Sequence, residues 1–108
     1  WKIFHAAGES SNFENTFAFP NPFAPGLENI KIKYLLQNNA DVSIRIFNFS
    51  MQLVKTLLQN APRTGGIEQI ENWDGRDEGG RLVPNGVYFY RIDVNGSKGI
   101  YGKIMAVR

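Results

Sequence analysis

The sequence predicts an all-β protein in which two antiparallel sheets pack face to face. Three observations support this fold class. Apolar and polar residues alternate with a period of two in several short segments, most clearly from Val87 to Val94, as in strands with one buried face. Asn95-Gly96 joins two such segments, and this pair is typical of tight hairpin turns because both residues must adopt positive φ. No segment shows the sustained 3.6-residue apolar period of an amphipathic helix.

The alternation defines about seven short strands, the number expected of a small sandwich. Their predicted ranges are 16–19, 30–36, 42–46, 53–57, 67–73, 87–94 and 100–107. Residues 52–60 could be forced into a short helix, but Val54 and Thr56 are β-branched and a Pro-Gly loop follows. The inward-facing positions are predicted to form the core, which includes Ile32, Tyr34, Val42, Ile44, Ile46, Trp73, Tyr88, Tyr90 and Ile104.

The segments between these strands are rich in turn-forming residues. They are 37–41, 48–51, 74–80 and 84–86, together with a loop predicted at 59–66 that contains Pro62 and Gly65-Gly66. The length of 108 residues indicates one domain, which we place at 16–108. Residues 1–15 read as a tail or linker, and the start at Trp1 rather than methionine suggests a module of a larger protein.

The composition argues against several function classes. The net charge is only +2 and both signs are spread along the chain, so a nucleic-acid partner is not expected. Cysteine is absent and His5 is the single histidine, which removes thiolate chemistry and histidine-based triads or metal sites. No apolar stretch approaches the roughly 20 residues that span a bilayer. We therefore expect a non-catalytic domain without a membrane span, a required metal or an organic cofactor.

Two segments carry more information than the periodicity. The first, Phe19-Pro20-Asn21-Pro22-Phe23-Ala24-Pro25, has three prolines in six residues, which cannot lie inside a central strand. It predicts a stiff, polyproline-like lead-in to the domain, with Phe19 and Phe23 as candidate plugs for the core. The second is Trp73-Asp74-Gly75-Arg76-Asp77, followed by Gly86-Val87-Tyr88-Phe89-Tyr90. Trp73 is expected to be buried at the end of its strand, and Asp74 to accept backbone amides in the turn.

Together these segments resemble the FlgD-like immunoglobulin-fold domains and the similar C-terminal sorting domains of the type IX secretion system. The resemblance covers about residues 17–108 and implies an immunoglobulin/fibronectin-III-like sandwich that has no catalytic residues. The motif positions are Pro20, Asn21, Pro22, Phe23, Trp73, Asp74, Gly75, Gly86, Tyr88, Tyr90, Asn95 and Gly96. One turn departs from the family, which usually has a glycine after the strand ending at Phe47-Asn48. Phe49-Ser50-Met51 stands there instead, so the turn is expected to rely on Asn48 or Ser50.

Three residue groups have alternative chemical interpretations. Asp74, Asp77, Glu78 and the nearby Glu71 could form a calcium site, but their spacing does not match a calcium-binding loop, and turn capping is favoured. Tyr88, Phe89, Tyr90 and Tyr101 could form a sugar-binding platform, but alternation places Tyr88 and Tyr90 opposite Phe89, which favours packing. Glu68 and Glu71 could serve acid–base catalysis, but nothing places them across a cleft.

Three roles follow from the resemblance and the composition. The leading hypothesis is a C-terminal sorting or anchoring module of an exported bacterial protein, at the cell surface or outside the cell. Its partners would be proteins: the export machinery, or neighbouring domains or subunits. The alternative is a structural spacer or assembly domain of a surface or flagellar-type structure. The third is a carbohydrate-binding module. Because a lone sandwich leaves strand edges exposed, we also expect the tail or the strand at 16–19 to be covered by a partner.

Overall fold

The computed structural model describes residues 13–108, with side chains from Thr16 onward. Residues 1–12, which make up most of the predicted tail, and His5 among them, lie outside the described residues. The described range contains seven strands and no helix, and hence no helix long and apolar enough to cross a membrane. The strands are β1 (Phe13–Phe19), β2 (Ile30–Leu36), β3 (Ala40–Asn48), β4 (Leu53–Arg63), β5 (Glu68–Trp73), β6 (Gly86–Val94) and β7 (Ser97–Ala106).

The strands form two sheets. One sheet has three strands in the order β1-β2-β5, and the other has four in the order β4-β3-β6-β7. All neighbouring strands within the sheets are antiparallel. The predicted all-β sandwich of about seven strands is confirmed. The hairpin at Asn95-Gly96 is also present, with φ of 51° and 81° at its two residues.

The core lies between the sheets, and all nine predicted core residues are buried. β2 shows the cause directly, because its residues alternate between buried and half-buried along the whole strand. The structure adds further buried apolar residues, namely Phe23, Ile30, Leu36, Val83, Ile92, Val94, Ile100 and Ala106. Each fully buried aliphatic or aromatic side chain contributes roughly 1.5–3 kcal/mol, so the core is a sum of many moderate terms.

Three sequence predictions need correction. β4 continues to Arg63, so the predicted loop 59–66 is mostly strand. Pro62 is tolerated because β4 is an edge strand, and a bulge at Asn60 (φ 48°) absorbs the irregular pairing with β3. The segment around Pro20 is not an extended polyproline-like lead-in, because the chain bends at residues 20–22. In addition, β1 begins at Phe13, three residues before the predicted strand.

A partly buried ion pair ties the two sheets together at one side. Arg63 of β4 donates to both carboxylate oxygens of Glu71 on β5, from Nε at 2.7 Å and from Nη2 at 3.3 Å. The Tyr34 hydroxyl of β2 donates to Glu71 Oε2 at 2.7 Å. Charge-assisted bidentate bonds of this kind are stronger than neutral ones. The cluster therefore holds the β4 edge of one sheet against the β5 edge of the other.

Alkaline pH is expected to destabilise the protein through its buried tyrosines. Burial, reinforced by the Glu71 hydrogen bond and charge, raises the pKa of Tyr34 far above its ordinary value of 10.0, and burial also raises the pKa of Tyr88 and Tyr90. Stability from these groups is complete below pH 10 and falls as the pH rises further, because the unfolded chain releases the phenolic protons first. Thermal melts at pH 9 and pH 11 should show the loss, and Tyr34→Phe should reduce the pH dependence. A melting temperature unchanged between these pH values would contradict this account.

Candidate functional site

The two sequence motifs, which lie fifty residues apart in the chain, meet at one end of the sandwich. The Phe23 and Trp73 rings pack with centroids 5.6 Å apart, and Trp73 meets the Tyr88 ring edge-on at 6.0 Å. Phe23 and Trp73 are each only 1% exposed. Offset and edge-to-face contacts of this kind add to the energy of apolar burial. The predicted burial of Trp73 and the plug at Phe23 are confirmed, whereas Phe19 is 37% exposed and is not a plug.

The Pro-Asn-Pro-Phe segment binds the free edge of the last strand. The Asn21 side chain donates to the Lys103 carbonyl at 2.9 Å and accepts from the Met105 amide at 2.8 Å. The Phe23 backbone continues the contact, donating to the Met105 carbonyl and accepting from the Val107 amide, both at 2.9 Å. Pro20 and Pro22 have no amide hydrogen to leave unpaired in this bend. The segment therefore covers the second half of the β7 edge, which would otherwise be open to pairing with another chain.

Asn21 is expected to contribute measurably to stability through this edge. Asn21→Ala removes a donor and an acceptor from the β7 backbone, and we expect it to lower the free energy of unfolding by about 1–2 kcal/mol. Asn21→Asp has the same shape but places an oxygen against the Lys103 carbonyl, so it should be no less destabilising. Urea denaturation of the three proteins measures both effects. An Asn21→Asp protein as stable as the wild type would show that the Lys103 bond is unimportant.

The Trp-Asp-Gly turn is fixed from both sides. Asp74 Oδ1 accepts the Arg76 amide at 3.0 Å, as predicted for a turn cap, and the Trp73 indole donates to the Arg76 carbonyl at 3.0 Å. Gly75 has a φ of 82°, and a Cβ atom there would lie 2.5 Å from Cβ of Pro25. Only glycine satisfies both conditions, because L side chains disfavour this φ. This glycine therefore lets the second motif approach the first.

The acidic residues near this turn are engaged by protein groups. Asp77 Oδ1 accepts the amides of Gly79 and Arg81, at 2.9 and 3.0 Å. Glu78 accepts the Thr56 amide at 2.7 Å and lies 3.7 Å from the Lys55 ammonium, which attaches the loop to β4. Among the side chains that the structure describes, those of residues 16–108, there is no group of three or more acidic or histidine side chains that could hold a metal ion. The carboxylates of the calcium alternative thus serve turn capping and loop attachment.

The tyrosines of β6 also have structural roles. Gly86 starts this strand, and the Tyr88 hydroxyl donates to the Pro84 carbonyl at 2.7 Å, four residues upstream. A tyrosine hydroxyl bonded to the backbone a few residues upstream also occurs in immunoglobulin-type sandwiches, where it fixes the entry to a strand. The Tyr90 hydroxyl lies 2.9 Å from the Thr16 hydroxyl of β1, so its ring links the two sheets. Both tyrosines are buried and unavailable for stacking on a sugar.

At the opposite end, the Asn95-Gly96 turn is attached to β3. The Asn95 amide donates to the Asp41 carbonyl at 2.8 Å, and its side-chain oxygen accepts the Asp41 amide at 2.9 Å. Asn95 thus holds the β6–β7 hairpin against the start of β3. This turn lies on the far side of the core from the Phe23–Trp73 cluster, so the motif positions do not converge on one surface site.

Sequence reasoning missed an apolar groove on the outer face of the four-stranded sheet. Its volume is about 470 Å³, and its walls are Phe49, Met51, Val87, Phe89, Tyr101, Gly102 and Lys103. Phe89 and Tyr101 belong to the aromatic group considered for sugar binding, but their predicted companions Tyr88 and Tyr90 point into the core. The available signal was the apolar pair in Phe49-Ser50-Met51, since apolar residues are unusual in a predicted turn.

The chain matches no protein-family model and no curated protein sequence. Its fold is similar to parts of longer proteins of known structure. One is dimeric latent PorU from Porphyromonas gingivalis, at a TM-score of 0.68 and 23% identity over 85% of this chain and 9% of that one. A second is PorZ, a surface component of the type IX secretion system of the same organism. Its TM-score is 0.59 and its identity 21%, over 94% of this chain and 13% of PorZ. A third is the alkylpurine DNA glycosylase AlkC from Pseudomonas fluorescens. Its TM-score is 0.58 and its identity 15%, over 94% of this chain and 32% of AlkC. The chain therefore shares a fold with small parts of all three proteins.

Proposed function

We propose that this chain is a non-catalytic sorting or anchoring module of an exported bacterial protein and acts outside the cell or at its surface. The observation that carries the proposal is the fold similarity to PorZ over 94% of the chain, because PorZ is a surface component of the type IX secretion system. PorU, from the same organism, supports it at a higher TM-score. The motif resemblance of residues 17–108, which covers FlgD-like domains as well as type IX sorting domains, supports the proposal independently of the structure comparison.

The packing of the motifs supports recognition of a folded domain rather than of a linear peptide. Phe23, Trp73, Tyr88 and Tyr90 are buried, so a partner could contact these four side chains only after unfolding the sandwich. Asn21 is exposed, but both polar atoms of its side chain are bonded to β7. Their effect is to secure the last strand in the sheet. The surface of the folded module is then the part that an export machinery would contact.

The chemistry of the surface supports a role without catalysis. The two glutamates considered for acid–base work are paired with cations, since Glu71 bonds Arg63 and Glu68 lies 3.0 Å from the Lys33 ammonium. A carboxylate engaged in this way is a poor general base unless the pair is first broken. The absence of cysteine also suits a module outside the cell, because no thiol is present to be oxidised.

The proposal is tested by fusing the 108-residue chain to the C-terminus of a periplasmic reporter in a host that has a type IX secretion system. We expect the fusion to reach the cell surface, where added protease degrades it in intact cells, while the reporter alone stays protected. A deletion of the secretion machinery should return the fusion to the periplasm. A fusion that remains protected in the wild-type host would overturn the sorting role.

A structural spacer or assembly domain is the second candidate, and the AlkC similarity favours keeping it. AlkC is a DNA glycosylase, so the same fold also occurs in a protein unrelated to secretion. Placing the chain between two reporters separates the candidates. A sorting module should lose its effect in the internal position, whereas a spacer should leave both reporters folded and in the periplasm in either position.

A further inference from the structure

We propose that the groove on the outer face of the four-stranded sheet binds a segment of a partner protein in which an aromatic or large aliphatic side chain is flanked by acidic residues. The docking groove is lined by Phe49, Met51, Val87, Phe89, Tyr101, Gly102 and Lys103. The inference deepens the proposed function, since it identifies the surface of the module that an export partner would contact.

The turn that forms one wall of the groove is built to hold apolar side chains in solvent. Phe49 is 74% exposed and Met51 is 47% exposed. Asn48 secures the turn with two backbone bonds, to Gln52 and Met51, and two side-chain bonds to Gln52, all between 2.8 and 3.0 Å. A turn fixed so completely can present its side chains at little further cost in conformational entropy on binding.

Met51 adopts a backbone conformation that its side chain disfavours. Its φ is 64°, so Met51 is the left-handed residue of this turn. The sequence had instead predicted that Asn48 or Ser50 would supply the geometry of the turn. Glycine is the default residue in this conformation, because it has no Cβ atom to clash with the backbone. An unfavourable backbone conformation that persists in a well-bonded turn points to a function for the side chain it carries.

The interior of the groove selects an apolar side chain. Phe49 stacks on Phe89 with ring centroids 6.4 Å apart, and both rings face the groove together with Met51, Val87 and Tyr101. Aromatic and methionine side chains in a concave surface are typical of the centre of a protein–protein interface. The side-chain polar atoms of the lining are confined to Tyr101 and Lys103. This is a small number for a sugar, whose hydroxyls need several hydrogen-bonding partners.

The surroundings of the groove are cationic. None of the lining residues is acidic, and among residues 16–108, whose side chains the structure describes, no carboxylate forms an ion pair with Lys103. In the next row of the sheet, Arg45 and Arg91 share the single carboxylate of Asp93, at 3.2 and 2.9 Å, which leaves one positive charge in excess. Arg91 also lies over the Phe47 and Tyr101 rings. Acidic residues beside the docked side chain would complement this field and speed association.

The test is selection from a phage-displayed library of random peptides on the full 108-residue chain. We expect enrichment of peptides that combine an aromatic or large aliphatic residue with flanking aspartate or glutamate. Binding of the selected peptides, followed by fluorescence anisotropy, should weaken at least about tenfold in Phe49→Ser and in Met51→Gly, the loss expected of an interface hot spot. Lys103→Glu should also weaken it and shift selection towards basic flanks.

Met51→Gly is the decisive variant because glycine suits the φ of this position, so it should keep or raise the melting temperature while binding is lost. Leu27→Ser is the matched control, since Leu27 is 82% exposed but lies outside the groove, and it should bind as the wild type does. The proposal is overturned if the enriched peptides are basic, if no peptide is enriched, or if Phe49→Ser and Met51→Gly bind normally. A dimer that Phe49→Ser dissociates would also overturn it and assign the groove to a second copy of the chain.

The result of the peptide selection can be distinguished from the result of the reporter fusion. If the reporter reaches the surface but no acidic peptide is selected, the sorting role stands and the groove proposal falls. If groove-dependent peptides are selected but the reporter stays in the periplasm, the groove proposal stands and the sorting role falls.

Discussion

Phe23→Ala is expected to lower the free energy of unfolding by about 3–5 kcal/mol, the cost of removing a fully buried phenylalanine ring. The ring is enclosed by Trp73 and the rest of the core and is only 1% exposed. The backbone bonds of residue 23 to Met105 and Val107 would remain, so the loss reports the ring and its cavity. For a domain of this size we expect the melting temperature to fall by about 10 °C or more. Calorimetry measures the fall in melting temperature, and urea denaturation measures the loss in free energy of unfolding.

Phe19→Ala is the matched control, because Phe19 has the same side chain and lies four residues earlier in the same segment. Its ring is 37% exposed and packs on the Phe17 ring outside the core. We expect its effect to stay below about 1 kcal/mol, as for most substitutions at partly exposed positions. If both alanine variants lost the same stability, Phe23 would not be the plug that joins the two motifs.

The strands and their faces were predictable because they depend on neighbours in sequence. An alternation of apolar and polar residues such as that of β2 predicts which side chains enter the core. All nine core residues predicted in this way are buried. The wrong prediction of a loop at 59–66 also came from considering only neighbours in sequence. Pro62 and the polar residues before it indicate a loop locally, but pairing with β3 extends the strand to Arg63, and that pairing is not encoded nearby.

The convergence of the motifs was not predictable by periodicity, since it depends on contacts between distant segments. No pattern in the sequence near Asn21 predicts that its side-chain amide bonds to β7, more than eighty residues later. The docking groove was missed for a related reason. Phe49 and Met51 lie in a turn, whereas Phe89 lies on β6 and Tyr101 on β7. These residues are distant in sequence, and only the order of strands in the sheet brings them together.

Gly102 of β7 is a position where a single added methyl group should cause a severe clash with the core. A Cβ atom there would lie 2.1 Å from Cζ of Tyr90, far inside van der Waals contact. The Tyr90 ring covers the glycine and reaches the Thr16 hydroxyl of β1, so it has no free space into which to retreat. The strand tolerates a glycine here, despite its entropic cost, because only a residue without Cβ leaves room for the ring.

We expect Gly102→Ala to cost about 3 kcal/mol or more, because the displaced ring both strains the core and loses its contact with Thr16. Gly79→Ala provides the control, since its Cβ would meet only Asp77 Oδ1 at 3.4 Å and its φ is ordinary, and it should change stability by less than about 1 kcal/mol. A double-mutant cycle locates the cause. In a Tyr90→Leu background the alanine at 102 should cost much less, because the side chain that it strikes has been shortened. Equal costs in both backgrounds would mean that the damage arises in the β7 backbone and not from the Tyr90 ring.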